Sequence, residues 1–186
     1  LISGISLDGK QFFYPNALES DGVHKNNRGS CTRQSWFDCS CCPTNLIRFI
    51  PSIPRLIYST NKNELYVNLY ASNTAKIALD KTELEISQKT NYPWDGKVAI
   101  TVSPKKESEF TLKLRMPGWA RNQVLPGDLY TYRSVASAKT TLTIDGKPTE
   151  YKDDNGYITI TRKWKKGEII TLDFPMEVKE VVTNTK

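Results

Sequence analysis

Residues 64–186 repeat short segments in which apolar and polar side chains alternate with a period of two. The alternation runs through residues 65–69, 84–86, 98–102, 110–114, 142–144, 158–160 and 170–174. Turn-forming dipeptides separate several of these segments, namely Asp95-Gly96, Asp145-Gly146, Asn155-Gly156 and Lys166-Gly167. Successive residues of a strand point to opposite faces, so each segment should bury one face and expose the other. Seven or more such strands predict a mainly β chain with an antiparallel β-sandwich. Residues 119–139 lack the alternation, and we interpret them as a long loop.

Residues 1–63 have a different pattern and form a separate predicted domain, with the sandwich domain spanning residues 64–186. A turn at Asp8-Gly9 precedes the aromatic run 12–14 and predicts a hairpin. A helix is predicted to begin at Pro43, because a missing N–H costs nothing in the first turn. Apolar residues then follow at helical spacing, namely Leu46, Ile50, Ile53 and Ile57. Pro51 and Pro54 interrupt that face, which predicts a kink or two short helices packed on an apolar surface.

Charge and hydropathy exclude several classes of protein. The net charge is +6, from 26 basic and 20 acidic side chains, and the excess is spread thinly, so nothing selects a nucleic-acid partner. No apolar run approaches the roughly 20 residues of a membrane helix. The first residues carry no signal-peptide pattern. Because the sequence begins at Leu1 without a methionine, we expect a chain that is processed or cut from a longer one.

All four cysteines lie between positions 31 and 42, namely Cys31, Cys39, Cys41 and Cys42. A disulfide framework would spread its cysteines over the fold, whereas a local cluster is typical of a metal site or a reactive thiol. Four thiolates suffice for a zinc site by number, although the spacing differs from the paired C-x-x-C of zinc ribbons. Cys41 and Cys42 directly precede the predicted helix, where the helix dipole favours a thiolate. Buried, inert thiols are the alternative.

Other polar and aromatic residues near the cluster are weaker candidates. His24 is the single histidine, and we expect it in a surface loop. Glu19 and Asp38 could form the carboxylate pair of a glycosidase, but loop carboxylates are usually solvated. Tyr14, Trp36 and Trp94 could stack on sugar rings or serve in packing.

Four segments of the chain resemble glycoside hydrolase family 127, the β-L-arabinofuranosidase family. They are residues 4–14 (GISLDGKQFFY), 36–45 (WFDCSCCPTN), 114–120 (LRMPGWA) and 156–176, the last with GYITI, Trp164 and Phe174-Pro175-Met176. The likeness extends over essentially the whole chain, and the double-cysteine segment is its most specific part. It implies an (α/α)6 barrel followed by β-sandwich modules. Residues 1–63, with the cysteine cluster, would then be a short helical and loop remnant from the C-terminal end of the catalytic barrel. Residues 64–186 would be a jelly-roll-like sandwich.

The resemblance also implies a retaining mechanism. In it, a zinc-bound cysteine attacks the anomeric carbon and a glutamate serves as acid/base. The zinc is held by one glutamate and three cysteines, one of which is the nucleophile. Cys41 matches the nucleophile and a ligand, Cys42 matches a second ligand, and Tyr14 matches a tyrosine that contacts the sugar. Zinc would keep the sulfur deprotonated at neutral pH.

This chain departs from the family pattern at several points. Cys31 and Cys39 are not ligands in that pattern, and Thr44 replaces a proline, so the substrate can differ. The remaining zinc ligands and the acid/base glutamate are expected upstream of Leu1.

We therefore expect the C-terminal part of a retaining zinc-cysteine hydrolase of arabinofuranoside-type or related glycans, and we expect this part to be inactive on its own. Its expected partners are a carbohydrate and the missing barrel, and the apolar face from Leu46 to Ile57 would dock on the sandwich or dimerise. Two alternatives stay open. The sandwich is a non-catalytic module that supports the barrel or binds glycans through Trp94 and Trp119, or the four cysteines form a self-sufficient zinc module.

Overall fold

The computed structural model describes residues 4–15, 19, 21–39, 41–135 and 138–184, without the side chains of Cys42 and Pro43. The chain forms two compact units, Leu1–Ile53 and Pro54–Lys186. The domain boundary that the sequence pattern places after residue 63 stays a prediction.

The described residues of the first unit form isolated bridges, an α-helix and a 3-10 turn. The predicted hairpin is confirmed: Ile5 pairs with Phe12, and the Ser6 N–H donates to the Gln11 carbonyl at 2.8 Å. A second bridge joins Phe12 to Gln34 and links the hairpin to the loop that precedes the helix.

The predicted helical face is divided at its prolines. Helix α1 spans Cys41–Phe49, a 3-10 turn follows at Ile50–Ser52, and α2 spans Pro54–Ile57 in the second unit. The two short helices are confirmed, but the predicted start at Pro43 is wrong by two residues. The first four N–H groups of a helix have no partner within it, so a proline is tolerated at its third position as well as at its first.

Two sheets pack face to face in the second unit and confirm the mainly β sandwich. The five-stranded sheet has the order β1 (Tyr58–Asn61), β2 (Glu64–Val67), β6 (Ser108–Arg115), β11 (Tyr157–Trp164) and β10 (Asp153–Asp154). The six-stranded sheet has the order β3 (Asn73–Ala78), β4 (Glu83–Thr90), β5 (Lys97–Pro104), β12 (Glu168–Asp173), β8 (Thr141–Ile144) and β9 (Lys147–Pro148). The pair β2–β6 is parallel, and the other pairs among the described strands are antiparallel.

One apolar cluster fills the space between the two sheets. Its largest fully buried side chains are Trp164, Phe110 and Phe174. The Trp164 and Phe110 rings stack with centroids 5.7 Å apart, and the Trp164 indole N–H donates to the Phe110 carbonyl at 3.0 Å. The tryptophan therefore buries a large apolar surface without leaving its donor unsatisfied.

The interpretation of residues 119–139 as a loop without strands is wrong. The segment begins within a 3-10 helix, Gly118–Arg121, and contains β7, Tyr130–Tyr132. Strand β7 pairs with β13, Val181–Thr183, to form a separate ribbon. The ribbon is largely solvent-exposed, so it lacks the alternation that burial of one face imposes on a strand. None of the described helices has the length and apolarity needed to cross a membrane.

Candidate active site around Cys41

The structure brings together Tyr14 and Cys41, which are 27 positions apart in the sequence. The Tyr14 hydroxyl oxygen lies 3.2 Å from the Cys41 sulfur, in a hydrogen bond that either atom can donate. Cys41 is the first residue of α1, and its side chain is exposed. Contacts with Cys41, and to a lesser extent with Cys39, raise the pKa of Tyr14 well above its usual value. The phenol therefore keeps its proton and can donate it in a hydrogen bond to the Cys41 sulfur.

Aromatic and cationic neighbours fix the Tyr14 ring. Phe37 is only 5% exposed and meets the ring edge-on, with centroids 5.3 Å apart. Phe12 contacts Phe37 in the same way at 5.0 Å. The Arg28 guanidinium lies 4.1 Å from the centroid of the Tyr14 ring. The ring thus has a packed edge and a cation over one face, which leaves few orientations for its hydroxyl.

Asn27 is the buried hydrogen-bonding centre of the first unit. Its side-chain oxygen accepts from the Tyr14 N–H at 2.7 Å, and its amide nitrogen donates to the Thr32 carbonyl at 2.9 Å. Its main chain pairs with Ser30 in both directions. The residue is completely buried, so each of these groups would lack a water partner if the bonds were broken. Asn27 therefore fixes the backbone from which Tyr14 reaches Cys41.

His24 belongs to a surface turn, as predicted. The Asp21 carboxylate accepts from the His24 and Val23 N–H groups, both at 2.8 Å, and lies 3.0 Å from the His24 ring. These bonds, led by the one from the His24 N–H, lower the pKa of Asp21 to about 2. The side chains of Glu19 and Asp38 are both exposed, as expected for solvated loop carboxylates. Trp36 and Trp94 are 62% and 78% exposed.

Among the described side chains, no three of His, Cys, Asp and Glu come together as ligands, and Cys31 and Cys39 are half-buried thiols. The alternative of a zinc module built from all four cysteines stays a prediction. The Cys42 side chain lies outside the described residues, and its role as a ligand stays a prediction. Adjacent thiolates at positions 41 and 42 are soft donors of the kind zinc accepts, but they supply two ligands of the four a tetrahedral site needs.

The sequence pattern did not point to Asn27 or Arg28. They lie in the polar, irregular residues 20–35, where neither a helical nor a strand period distinguishes a buried residue from an exposed one. The one local clue in the sequence is the glycine at position 29, which favours a turn. In the structure, Arg28 and Gly29 have positive φ values of 49° and 90° and make a tight turn directly after Asn27.

Two protein-family models match the chain. Residues 64–176 match the model of the β-L-arabinofuranosidase GH127 middle domain, and residues 1–55 match the GH127 catalytic domain. The chain belongs to glycoside hydrolase family 127. The catalytic-domain match covers the bridged loops and helix α1, and the middle-domain match covers the β-sandwich.

Proteins similar to this GH127 chain are considerably longer. The non-reducing end β-L-arabinofuranosidase of Bifidobacterium longum subsp. longum is 35% identical over all of this chain, which spans 27% of that protein. A solved GH127 β-arabinofuranosidase is 43% identical with a TM-score of 0.88, over 100% of this chain and 28% of its own. The solved GH127 β-L-arabinofuranosidase from Geobacillus stearothermophilus T6 is 37% identical with a TM-score of 0.78, over 99% and 27%.

Proposed function

We propose that this chain supplies the nucleophile of a retaining glycosidase that acts on β-L-arabinofuranosides or related glycans. The observation that carries the proposal is the 3.2 Å contact between Tyr14 and Cys41 at the start of α1. Membership of GH127 supports it, because the curated relative has β-L-arabinofuranosidase activity in its name. Cys41 is exposed and Tyr14 is half-buried, so a sugar can approach the sulfur.

Cys41 would act by displacement at the anomeric carbon. A lone pair of the thiolate forms the C–S bond while the glycosidic C–O bond breaks, and the leaving oxygen takes a proton from a carboxylic acid. Water, deprotonated by the same carboxylate, then replaces the sulfur. Two inversions give net retention.

Tyr14 would have two roles in this reaction. Its hydroxyl donates to the thiolate before attack, and the same side chain then contacts the bound sugar. The Arg28 guanidinium lies over the Tyr14 ring and so adds a positive charge next to the residue that contacts the thiolate.

Zinc would be held in part by Cys41 and Cys42, and when bound it supplies the charge that keeps the sulfur deprotonated at neutral pH. A glutamate and a further cysteine would complete the ligand set, and another glutamate would be the acid/base. We propose that these groups come from polypeptide outside this chain, in a helical barrel, and that the chain alone is inactive. Purified chain with zinc and an aryl β-L-arabinofuranoside should give no turnover, and measurable hydrolysis would contradict this part of the proposal.

A chimeric enzyme tests the nucleophile directly. In the Bifidobacterium longum relative, the segment that this chain matches is replaced by this chain, and hydrolysis of an aryl β-L-arabinofuranoside is measured. The chimera should be active, and Cys41→Ser should abolish hydrolysis. Cys31→Ser is the matched control, because Cys31 is a half-buried thiol with no role in the proposal. A Cys41→Ser chimera as active as the unaltered one would refute the assignment.

A further inference from the structure

A cleft in the β-sandwich combines an aromatic wall with two arginines. It has a volume of about 390 Å³ and opens where β2 and β6, a parallel pair, both end. The residues that matter in its lining are Tyr92, Arg115, Trp119, Arg121 and Gln123. We propose that this cleft binds the carboxylate-bearing ring of an acidic, uronate-type sugar, independently of the site around Cys41.

The aromatic wall of the cleft is anchored in the core. The Tyr92 and Trp119 rings are nearly parallel, at 17°, with centroids 6.5 Å apart. Both rings also contact Phe174 edge-on, at 6.3 and 5.8 Å, and Phe174 is 1% exposed. Their positions are therefore set by packing before any ligand arrives. A fixed aromatic surface with a few polar groups around it is typical of small-molecule sites, and the apolar C–H face of a sugar ring matches such a surface.

The charge of the cleft selects an anion. Among the described residues, its lining contains Arg115 and Arg121 and no aspartate or glutamate. One Arg115 nitrogen donates weakly to the Asn68 carbonyl at 3.4 Å. Arg121 forms an ion pair with Asp153, with its Nε 3.6 Å from the carboxylate, which lies outside the lining of the cleft. Arg115 therefore carries most of the uncompensated charge, and Arg121 adds its remaining N–H donors. Since a guanidinium has five donors, both arginines keep donors for a carboxylate, which they can bind through two parallel hydrogen bonds.

The backbone around the cleft is held in place. The buried Tyr70 hydroxyl donates to the Arg115 carbonyl at 2.6 Å. On the opposite wall, the Gln123 N–H donates to the Gly118 carbonyl at 2.8 Å, and the Lys179 ammonium donates to the Trp119 carbonyl at 2.9 Å. A β-carbon at Gly118 would lie 3.1 Å from the Gln123 carbonyl oxygen, so glycine permits this close turn. A preformed cleft loses less entropy on binding than one that must be ordered.

Titration of the full chain with three probes tests the proposal: methyl glucuronide, its neutral counterpart methyl glucoside, and inorganic sulfate. Binding is followed by calorimetry and by the NMR signal of the Trp119 indole N–H. We expect methyl glucuronide to bind and to shift that signal, with the neutral glycoside at least roughly tenfold weaker, since one charge-assisted contact is lost. Arg115→Gln should weaken methyl glucuronide binding by a similar factor.

Arg133→Gln is the matched control, because Arg133 pairs with Glu180 and does not line the cleft. Arg115→Lys is a second variant that keeps the charge but removes the paired donors. Its affinity for methyl glucuronide should lie between those of the unaltered chain and of Arg115→Gln. Equal binding of both glycosides, sulfate binding as tightly as the glucuronide, or no binding at all by the unaltered chain would each overturn the proposal. None of these outcomes bears on Cys41, so this proposal and that of the hydrolytic site fail separately.

Discussion

Replacement of Asn27 by alanine should loosen the first unit and leave the sandwich unchanged. The substitution removes the side-chain bonds to the Tyr14 N–H at 2.7 Å and to the Thr32 carbonyl at 2.9 Å, and a long one to the Phe12 carbonyl at 3.5 Å. Because Asn27 is completely buried, the groups left behind have poor access to water. The two short hydrogen bonds and the unsatisfied Tyr14 donor together correspond to about 2–4 kcal/mol in the free energy of opening this unit.

Hydrogen exchange measures that free energy locally. The Phe12 and Gln34 N–H groups bond to each other's carbonyls at 2.9 and 3.0 Å, and these bonds are not removed by the substitution. Where exchange reports the opening equilibrium, a loss of 2–4 kcal/mol accelerates both amides by roughly 30- to 1,000-fold. Amides of β5 in the sandwich are the internal reference and should not change.

Asn26→Ala is the matched control for this experiment. The Asn26 side chain makes one long bond, at 3.4 Å, to the Glu19 carbonyl, and its buried oxygen has no hydrogen-bond partner among the described residues. Its removal should alter the exchange of Phe12 and Gln34 by less than about fivefold. Unchanged exchange in Asn27→Ala, or equal acceleration of the β5 amides, would refute the role given to Asn27.

Three further predictions concern stability and pH. Trp164→Ala should lower the free energy of unfolding by about 3–5 kcal/mol in chemical denaturation, because it empties the largest buried position, whereas Trp94→Ala, at 78% exposure, should change it by less than about 0.5 kcal/mol. Gly96→Ala should disrupt the turn at Asp95-Gly96, because the added β-carbon would lie 1.9 Å from the Phe174 carbonyl oxygen. The effect should be measurable as a loss of cooperative thermal unfolding. The pKa of Asp21, followed by NMR, should be about 2 instead of the ordinary aspartate value of 3.8. Because the pKa of Asp21 is lower in the folded chain than in the unfolded chain, its carboxylate stabilises the turn fully above pH 3.8. This stabilisation is lost as the pH falls through about 2. A normal titration midpoint would contradict the turn geometry.

The central strands could be predicted from the sequence because burial imposes its period on them. In β5, Val98, Ile100 and Val102 are completely buried, and the residues between them are half-buried. Strand β3 was not predicted, since it lies at the sheet edge and its residues are only half-buried or exposed. Edge strands of this kind need few β-branched or apolar side chains.

The candidate site was only partly predictable for a related reason. The double-cysteine segment distinguishes Cys41 and Cys42 within a short stretch, and the resemblance to GH127 added Tyr14. The contact between Tyr14 and Cys41, however, depends on a loop held by Asn27, 13 positions after Tyr14. Such a long-range hydrogen bond leaves no periodic trace in the sequence, so only the three-dimensional structure reveals it.

Covalent labelling of the chimeric enzyme tests most directly whether Cys41 is the nucleophile. An arabinofuranose-configured epoxide is incubated with the active chimera, and the modified residue is located by peptide mass spectrometry. Attachment of the sugar to Cys41, prevented by an excess of substrate and absent in Cys41→Ser, is the result that the present structure predicts. Attachment to Cys39, Cys42 or a carboxylate, with Cys41 unmodified, would contradict it.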